Sequence, residues 1–254
     1  MTEKLKLKKA LITGGSNGIG RAIAKAFAKE GCCVVFTYLS DNQSADSLIH
    51  EITSLGGQAY GLKVDLNDKD RLENLVKTAI SYTGQIDVLV NNVGFLTRTN
   101  GLETTPEQFD QVIHLNLKVP FFLTQLLARH MIDSGIQGSI INISSLSAEK
   151  TISRVPHYQC AKAGLNMLTK SFATELASYQ IRVNTISPGL TRTKANKDQW
   201  NNNLTVWEER SRFIPLKRAG TPEDFQATAV LLASDESKWM TGINITIDGG
   251  MSLL

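Results

Sequence analysis

Residues 10–20 read Ala-Leu-Ile-Thr-Gly-Gly-Ser-Asn-Gly-Ile-Gly, and this stretch decides the fold of the chain. The apolar run 10–13 predicts a buried strand, and the amphipathic run 19–30 predicts the helix that follows it. Glycines between a strand and a helix let the backbone turn sharply and approach a pyrophosphate, which the free N–H groups of the helix N-terminus stabilise. The stretch therefore predicts a dinucleotide site. Its candidate contacts are Gly14, Ser16, Asn17, Gly18, Ile19 and Gly20.

Short β-branched runs alternate with longer amphipathic runs along the rest of the chain. The predicted strands span 10–13, 34–38, 59–64, 88–91, 139–143, 183–186 and 243–247. The predicted helices span 19–30, 44–55, 69–82, 106–128 and beyond, 157–178 and 222–233. This alternation favours an α/β protein, a Rossmann fold with a doubly wound, seven-stranded parallel sheet and helices on both faces.

The 254 residues lie between the length of one large domain and that of two small ones. No linker rich in Pro, Gly or Ser divides the chain, so we expect a single domain over residues 1–254. The exception to the alternation is 190–213, an Asn-rich segment that also carries Trp200, Trp207 and Phe213. A long irregular insertion with large aromatic residues predicts a lid over a pocket.

The composition is that of an ordinary globular protein, with 42% hydrophobic and 20% charged residues. The net charge of +3 requires no nucleic-acid partner. The one basic cluster, which we interpret as a solvated lead-in to the first strand, comprises Lys4, Lys6, Lys8 and Lys9. No run approaches the length of a membrane span, so we expect no membrane partner.

The three cysteines are Cys32, Cys33 and Cys160, and their spacing fits neither a disulfide framework nor a metal site. There is no signal peptide pattern, and we expect a cytoplasmic protein that holds no metal. Cys160 lies two residues after Tyr158 and points about 200° round the predicted helix from it, which predicts a packed, apolar cysteine.

The end of the second predicted strand indicates which dinucleotide is bound. NAD sites usually place a carboxylate there, on the adenosine ribose, but this chain has Tyr38 at that position. Asp41 follows beyond the strand end, and Leu39 stands where an arginine could clamp a 2′-phosphate. NADP(H) is therefore favoured and NAD(H) is possible, with Ser16, Asn17 and Ser40 as candidate polar contacts.

Tyr158 and Lys162 are four residues apart at the start of a predicted helix, so both side chains lie on one face. Ser145 follows the predicted strand 139–143, at the strand end where open α/β sheets bind ligands. Acid–base work near neutral pH requires the tyrosine pKa to fall by about 3 from about 10. A positive charge at about 4 Å contributes on the order of 4 kcal/mol, so we expect Lys162 to lower the Tyr158 pKa, aided by an oxidised nicotinamide. Ser145 would hold the substrate oxygen.

Taken together, these residues resemble the short-chain dehydrogenase/reductase family over almost the whole chain. The resemblance rests on Thr13 to Gly20, Asp65, Asn91-Asn92-Val93-Gly94, Asn116, Ser145, Tyr158, Lys162, Pro188-Gly189 with Thr193, and Asp248-Gly249-Gly250. Val93 departs from the alanine that the family most often has there.

The resemblance implies a role for each matched position. Tyr158 would be the general acid–base, with Lys162 lowering its pKa and binding the nicotinamide ribose. Ser145 would polarise the carbonyl, and Asn116 would hold a water in the proton relay. The implied cofactor contacts are Asp65 and Leu66 at the adenine, Asn91, Val93 and Gly94 along the cofactor, and Pro188, Gly189, Leu190 and Thr193 at the nicotinamide amide. The resemblance also implies a homotetramer built through helices and the C-terminal end.

The reaction that the resemblance implies is hydride transfer between NAD(P) and a small secondary alcohol or ketone. The segments 148–150, 194–213 and 248–251 are similar to those of bacterial glucose 1-dehydrogenases, which favours a sugar or polyol substrate. The alternative is a 3-oxoacyl-[acyl-carrier-protein] reductase, which a basic patch beside the pocket would favour. A dinucleotide-binding regulator without turnover is a third hypothesis. We expect specificity to come from 190–213, the loop after Gly94 and a neighbouring subunit's tail.

Overall fold

The computed structural model describes residues 3–68, 71–202 and 204–254 of the chain. Within these ranges seven parallel strands form one sheet. They are β1 Lys9–Ile12, β2 Cys33–Tyr38, β3 Ala59–Lys63, β4 Val88–Asn91, β5 Ser139–Ile143, β6 Arg182–Pro188 and β7 Asn244–Ile247. The strand order is β3-β2-β1-β4-β5-β6-β7, in which the chain reverses its winding direction between β1 and β4. The predicted fold class is confirmed.

Helices pack on both faces of this sheet. They are α1 Gly18–Lys29, α2 Asn42–Ser54, α3 Arg71–Thr83, α4 Pro106–Ile113, α5 Val119–Asp133, α6 Pro156–Leu176, α7 Lys197–Asn201, α8 Leu204–Phe213 and α9 Gln226–Ala233. The predicted start of the third helix, at 69 and 70, lies outside the described residues. Among the helices formed by the described residues, none combines the length and the apolar sequence needed to cross a bilayer.

Alternate residues of each central strand contribute side chains to two separate hydrophobic layers, one on each face of the sheet. On β1, Ala10 and Ile12 pack with α1, α2 and α9, whereas Leu11 packs with α3, α5 and α6. All three side chains are fully buried. Because successive side chains of a strand point to opposite faces, a strand covered on both sides must be apolar throughout, which is why β1 reads as a continuous apolar run.

The prediction of one continuous helix over 106–128 is wrong. It is interrupted by a π-helical turn, His114–Lys118, between α4 and α5. Pro120 explains the break, because proline has no N–H to donate to the carbonyl of Asn116 four residues earlier and its ring would clash with that carbonyl. Widening the turn relieves the clash, and such π-turns are frequent at functional sites.

Most of the described part of 190–213 is helical, so the prediction of an irregular insertion is wrong. A short 3₁₀ turn leads into α7, and α8 follows it. Trp207 on α8 is buried, and the Trp200 Nε1–H donates to the carbonyl of Thr193 at 3.0 Å. The Trp200 bond stays within the segment and links its 3₁₀ turn to α7, and the burial of Trp207 offsets part of the entropy of ordering a polar sequence.

The basic cluster at the start of the chain pairs in part with the chain's own acids. Lys4 Nζ lies 2.8 Å from a carboxylate oxygen of Glu236, and Lys8 Nζ lies 3.7 Å from one of Asp235. Both acids belong to the short turn that follows α9. With the ion pair of 2.6 Å between Lys6 Nζ and Glu3, three of the four lysines are structural surface charges.

Candidate active site

A cavity of about 760 Å³ opens at the carboxyl ends of β1, β4, β5 and β6. Open α/β sheets bind ligands at this edge, where the winding reverses. The predicted site residues that line it are Gly14, Asn17, Gly18, Ile19, Val93, Gly94, Ser145, Tyr158, Lys162, Pro188, Gly189, Leu190 and Thr193. The predicted residues outside its described wall are Ser16, Gly20, Tyr38, Asp65, Leu66, Asn91 and Asn116.

The glycine turn forms a cradle at the start of α1. Gly14 and Gly18 have positive φ angles of +63° and +55°, which residues with a side chain rarely adopt. A Cβ on Gly20 would lie 2.5 Å from the carbonyl oxygen of Gly14, so the helix can approach the turn only without one. The first turn of α1 has neither a side-chain cap nor an acidic residue. Its N–H groups are thus left to an anion, which fits the phosphates of a dinucleotide.

Thr13 and Asn92 join this turn to the loop after β4. The Thr13 hydroxyl oxygen accepts from the backbone N–H groups of Asn92 at 2.9 Å and Val93 at 3.0 Å. The Asn92 side-chain amide donates to the carbonyl of Thr13 at 2.8 Å. These bonds fix the two walls of the cavity relative to each other. This structural role of Asn92 leaves no local signal in the sequence, because the contact bridges residues far apart in the chain.

Three candidate catalytic side chains converge in the cavity wall. Tyr158 and Lys162 lie near the start of α6, and Ser145 follows β5. Lys162 Nζ donates to the carbonyl of Ile143 at 2.9 Å and lies 5.6 Å from the centre of the Tyr158 ring. The Ser145 hydroxyl oxygen accepts from the backbone N–H of Ser147 at 3.1 Å. These contacts hold the side chains in place before any ligand binds.

The pKa values of this group differ from the expectation that Lys162 lowers that of Tyr158. Burial raises the pKa of Tyr158 to about 12, although its hydrogen bond with Ser145 opposes the rise. Burial also lowers the pKa of Lys162 to about 7, so much of its charge is absent at neutral pH. Desolvation therefore exceeds the charge interaction in the protein alone.

Asn116 lies on the π-helical turn, and its side chain supports a loop of the cavity wall. Its side-chain amide donates to the carbonyls of Phe95 at 2.7 Å and Val112 at 2.9 Å, and its Oδ1 accepts from the N–H of Phe95 at 3.3 Å. A Cβ on Gly94 would lie 3.0 Å from this Oδ1. The Asn116 side chain thus positions the loop that carries Gly94.

The predicted adenosine contacts lie apart from this cavity. Tyr38 ends β2 half-buried, its ring centre 6.3 Å from that of Phe36. Asp65 accepts from the backbone N–H of Asn67 at 3.0 Å, and Leu66 is buried. The structure therefore places these residues outside the described wall of the cavity that contains Tyr158.

Asp41, which follows beyond the end of β2, lies close to the phosphate turn. As the N-cap of α2 it accepts from the N–H of Ser44 at 3.0 Å, and this turns it back toward the cradle. There it accepts from the Asn17 side chain at 3.3 Å and from Lys194 at 2.5 Å. The Lys194 ammonium and the Ser44 N–H hold the pKa of Asp41 well below its usual range, so this carboxylate is charged.

Two arginines that the sequence analysis did not single out also line the cavity. Arg98 comes from the loop after β4, and Arg210 comes from α8. Partial burial and the positive charge of Arg98 lower the pKa of Arg210. The segments that carry them, the loop after Gly94 and 190–213, were predicted to set specificity. Their convergence needed the tertiary structure.

Cys160 lies on the outer surface of α6, and the prediction that it is packed is wrong. Its side chain is exposed and is absent from the described cavity wall. The direction away from Tyr158 leads to solvent at this point of the helix. The other two cysteines, Cys32 and Cys33, are buried and half-buried.

Comparisons with known proteins match this architecture along nearly the whole chain. A family model described as enoyl-(acyl carrier protein) reductase matches residues 14–252. Glucose 1-dehydrogenase 2 of Bacillus subtilis is 35% identical, with 100% of this chain and 98% of the relative covered. An NADP(+) L-rhamnose 1-dehydrogenase of Thermoplasma acidophilum is 36% identical, with 96% of each covered. A Mycobacterium marinum short-chain type dehydrogenase/reductase structure superposes with a TM-score of 0.92 at 34% identity, covering 100% and 98%.

Proposed function

This chain belongs to the short-chain dehydrogenase/reductase family, whose similar members are oxidoreductases acting on CH–OH groups, and we propose that it interconverts a secondary alcohol and a ketone of a sugar or polyol with NAD(P). The observation that carries this proposal is the convergence of Ser145, Tyr158 and Lys162 in one cavity with the glycine cradle. The glucose and rhamnose dehydrogenases similar to this chain support a sugar-like substrate.

The three side chains divide the chemistry between them. When bound, the nicotinamide exchanges a hydride with the carbon that carries the hydroxyl group. Ser145 donates a hydrogen bond to the substrate oxygen and orients it toward Tyr158. The Tyr158 hydroxyl oxygen takes the hydroxyl proton during oxidation and returns a proton to the carbonyl oxygen during reduction. The same atoms serve both directions.

Tyr158 must lose its proton before it can act as a base, and its pKa of about 12 in the protein alone opposes this. Burial lowers the pKa of Lys162 to about 7, and the negative charge of a tyrosinate at Tyr158 would favour its ammonium form. A ribose hydroxyl at Lys162 and a positively charged nicotinamide nearby would then favour the tyrosinate. We therefore propose that the pKa of Tyr158 is lowered in the complex with the oxidised cofactor.

The proton leaves toward the π-helical turn that carries Asn116. The carbonyl of Asn116 has no N–H partner at Pro120, because proline lacks that hydrogen. This supports the role in the proton relay that the family resemblance implies, with the backbone carbonyl as a water acceptor and the side chain as a support of the loop. Lys162 Nζ lies near the same loop as Asn116, because a Cβ on Gly94 would be 3.7 Å from Nζ and 3.0 Å from Asn116 Oδ1.

The cofactor is proposed to lie along the predicted contacts, with its phosphates on Gly14 to Gly20, its adenine at Asp65 and Leu66, and its nicotinamide amide at Pro188 to Thr193. Tyr38 provides no carboxylate for a ribose diol, which supports NADP(H) as the preferred form and NAD(H) as a second one. Asp41 is charged close to Asn17, but Lys194 pairs with it and offers an ammonium to a 2′-phosphate.

We expect the Michaelis constant for NADPH to be lower than that for NADH. In Lys194→Met the loss of the ammonium leaves the Asp41 carboxylate unpaired, and the preference should fall by about tenfold, in keeping with a charged hydrogen bond. Steady-state rates with both cofactors measure this. Lys197→Met, on the exposed start of α7, is the matched control. A lower Michaelis constant for NADH in the unmodified enzyme refutes the preference.

A spectrophotometric screen tests the proposed function. Sugars, polyols and 3-oxoacyl thioesters are each incubated with both nicotinamide cofactors, and absorbance at the reduced-nicotinamide band is followed. Turnover of a sugar or polyol is the expected result. Cofactor binding without turnover of any compound would support the dinucleotide-binding regulator and overturn the proposal.

A 3-oxoacyl-[acyl-carrier-protein] reductase is the second candidate function. Two observations favour it: the matching family model is described by an acyl-carrier-protein reaction, and Arg98 and Arg210 form a basic pair at the cavity. A preference for acyl thioesters over sugars in the same screen would select it. Tyr158 and Ser145 would have the same roles on the thioester's keto group.

Residues 190–213 are proposed to close over bound ligands as a lid. Leu190, Thr193 and Arg210 of this segment line the cavity, so its movement changes access to Tyr158. The ion pair between Lys194 and Asp41 joins the segment to the N-terminus of α2 and would hold it closed. Closure excludes water from the reacting atoms.

A homotetramer is proposed from exposed apolar side chains on α4, α5 and α6. Phe109, Phe121, Phe122 and Met167 are between 39% and 61% exposed. Light scattering after gel filtration should give four times the chain mass of 27.9 kDa. Phe122→Glu should lower this mass because a charge in an apolar interface is unpaired. Leu55→Glu, at an exposed position after α2, is the control, and a monomeric unmodified protein contradicts the proposal.

A cytoplasmic location is proposed from the cysteines. Cys32, Cys33 and Cys160 are all free, and Cys160 is exposed. An exposed free thiol persists in a reducing compartment.

A further inference from the structure

A buried histidine directly precedes the proposed general acid–base in the chain, and the proton transfer does not use it. His157 is the second residue of α6, and only 2% of it is exposed. It is absent from the described wall of the catalytic cavity, so its ring does not face a ligand bound there. Burying a polar ring costs free energy unless its nitrogen atoms are hydrogen-bonded, so the histidine needs a structural reason to be there.

The imidazole of His157 is hydrogen-bonded to the loop after β4. Its Nε2 lies 2.8 Å from the hydroxyl oxygen of Thr97. Its Nδ1 is buried and has no hydrogen-bond partner among the described residues. Because a buried N–H without an acceptor is rarer than a buried acceptor without a donor, we assign the proton to Nε2, which then donates to Thr97. This bond is partly shielded from water, which strengthens it.

The bond to Thr97 joins a wall of the cavity to the helix that carries Tyr158. Thr97 lies between Leu96 and Arg98, which both line the cavity. The same loop is held two residues before Thr97 by the side chain of Asn116. The histidine is thus a second anchor of the loop, and it is the anchor next to the proposed general acid–base. A substrate that lies between this loop and α6 keeps its distance to the tyrosine only while the loop stays fixed to α6.

We propose that His157 is a positioning residue, which holds the loop 95–98 at the start of α6 through Thr97 and so fixes the substrate relative to Tyr158. This inference rests on the proposed role of Tyr158 as the general acid–base. The imidazole acts through the loop and takes no part in the proton transfer. A displacement of the reacting atoms by about 1 Å can lower a rate by about 10²-fold, so the loss of one anchoring bond has a measurable effect on kcat.

Substitutions at the two ends of the bond test the proposal. Thr97→Val keeps the shape of the side chain and removes its hydroxyl, and His157→Leu removes the ring nitrogens. For the sugar or polyol that turns over fastest in the screen, each should lower kcat by about 10-fold. The affinity for NADPH should stay within about 3-fold, because the glycine cradle is unchanged. The double variant should be no slower than the slower single variant, because both substitutions break the same bond.

Two further variants separate positioning from a general loss of stability. The side-chain amide of His157→Gln can donate in place of Nε2, so its kcat should stay within about 3-fold of that of the unmodified enzyme. Thr99→Val is the matched control, because the Thr99 hydroxyl bonds that of Thr104 within the same loop at 3.0 Å, and its kcat should not change. Equal kcat values in Thr97→Val and Thr99→Val overturn the proposal. Additive losses in the double variant, or a His157→Gln enzyme as slow as His157→Leu, also overturn it.

Trypsin cleavage after Arg98 measures the anchor without any turnover. Arg98 is exposed in this loop, and a loop released from its anchor is cleaved faster because cleavage requires local opening. Mass spectrometry of the fragments should show about 5-fold faster cleavage in His157→Leu and an unchanged rate in His157→Gln. The sequence around the cleaved bond is the same in both variants.

This cleavage rate separates the inference from the proposed function. If no compound is turned over, the proposed function fails, and faster cleavage in His157→Leu alone still supports the anchor. Equal cleavage rates in His157→Leu, His157→Gln and the unmodified protein refute the anchor whether or not the enzyme is active.

Discussion

Tyr158→Phe is expected to lower kcat by about 10³-fold or more while leaving the affinity for NADPH within about 3-fold, because general acid–base groups contribute about 10² to 10⁴. Phenylalanine keeps the ring that packs in the cavity wall and removes only the hydroxyl oxygen. The proton of the substrate hydroxyl then has no acceptor. Steady-state kinetics give kcat, and quenching of NADPH fluorescence gives the affinity.

Tyr179→Phe is the matched control for this experiment. Tyr179 lies beyond α6 in an exposed turn, so loss of its hydroxyl should change neither value. A Tyr158→Phe enzyme that keeps kcat within tenfold of the unmodified protein would remove Tyr158 from the mechanism. A parallel loss of NADPH binding would indicate a structural role for the hydroxyl instead.

Lys162→Met is expected to lower kcat by about 10²-fold or more and to raise KM for the cofactor, because a proposed ribose and tyrosinate partner is lost. Methionine retains the apolar stem but not the ammonium. The thermal midpoint at pH 7 should not fall, since the folded protein already disfavours the charged form of this buried group. The substitution is thus expected to lower activity without lowering stability, as is typical of a site that serves function at the expense of stability.

The pH dependence of the thermal midpoint of Lys162→Met gives a second measurement. The folded pKa of Lys162 is about 7, below its unfolded value of 10.5, so between these values the unfolded chain binds a proton that the folded chain does not. Stability of the unmodified protein therefore rises with pH across this window. Lys162→Met lacks this gain, and its thermal midpoint relative to the unmodified protein should fall from pH 7 to pH 9.

Differential scanning fluorimetry across that range measures the effect. Lys170→Met, at an exposed position of the same helix, should show no such trend. A difference between Lys162→Met and the unmodified protein that does not depend on pH would mean that Lys162 remains charged when buried. The tuning of Tyr158 proposed above would then not need the cofactor.

Much of the fold follows from local pattern. The strand–glycine–helix run at 10–20 and the alternation after it predicted seven parallel strands, and the sheet has them. The helix over 106–128 was predicted as one element because its apolar periodicity continues through Pro120, whereas the proline breaks the backbone pattern there. Hydrophobic periodicity reports which face is buried, and it does not report backbone hydrogen bonding.

Only part of the candidate site could be predicted from the sequence. Ser145, Tyr158 and Lys162 were singled out by spacing, and the structure places all three in one cavity. The contact between Asp41 and Lys194, 153 residues apart, and the placement of Arg98 and Arg210 in one cavity wall leave no local signal. Such pairs form because separate loops meet at one edge of the sheet.

The sequence by itself determined the order of the strands along the chain, the glycine cradle and the identity of the reactive groups, because each depends on neighbours within a few turns. The tertiary structure alone decided the charge state of those groups and which residues surround them. Desolvation depends on everything that surrounds a side chain, and so Tyr158 has a pKa raised to about 12 where its nearest cation predicted a lower one.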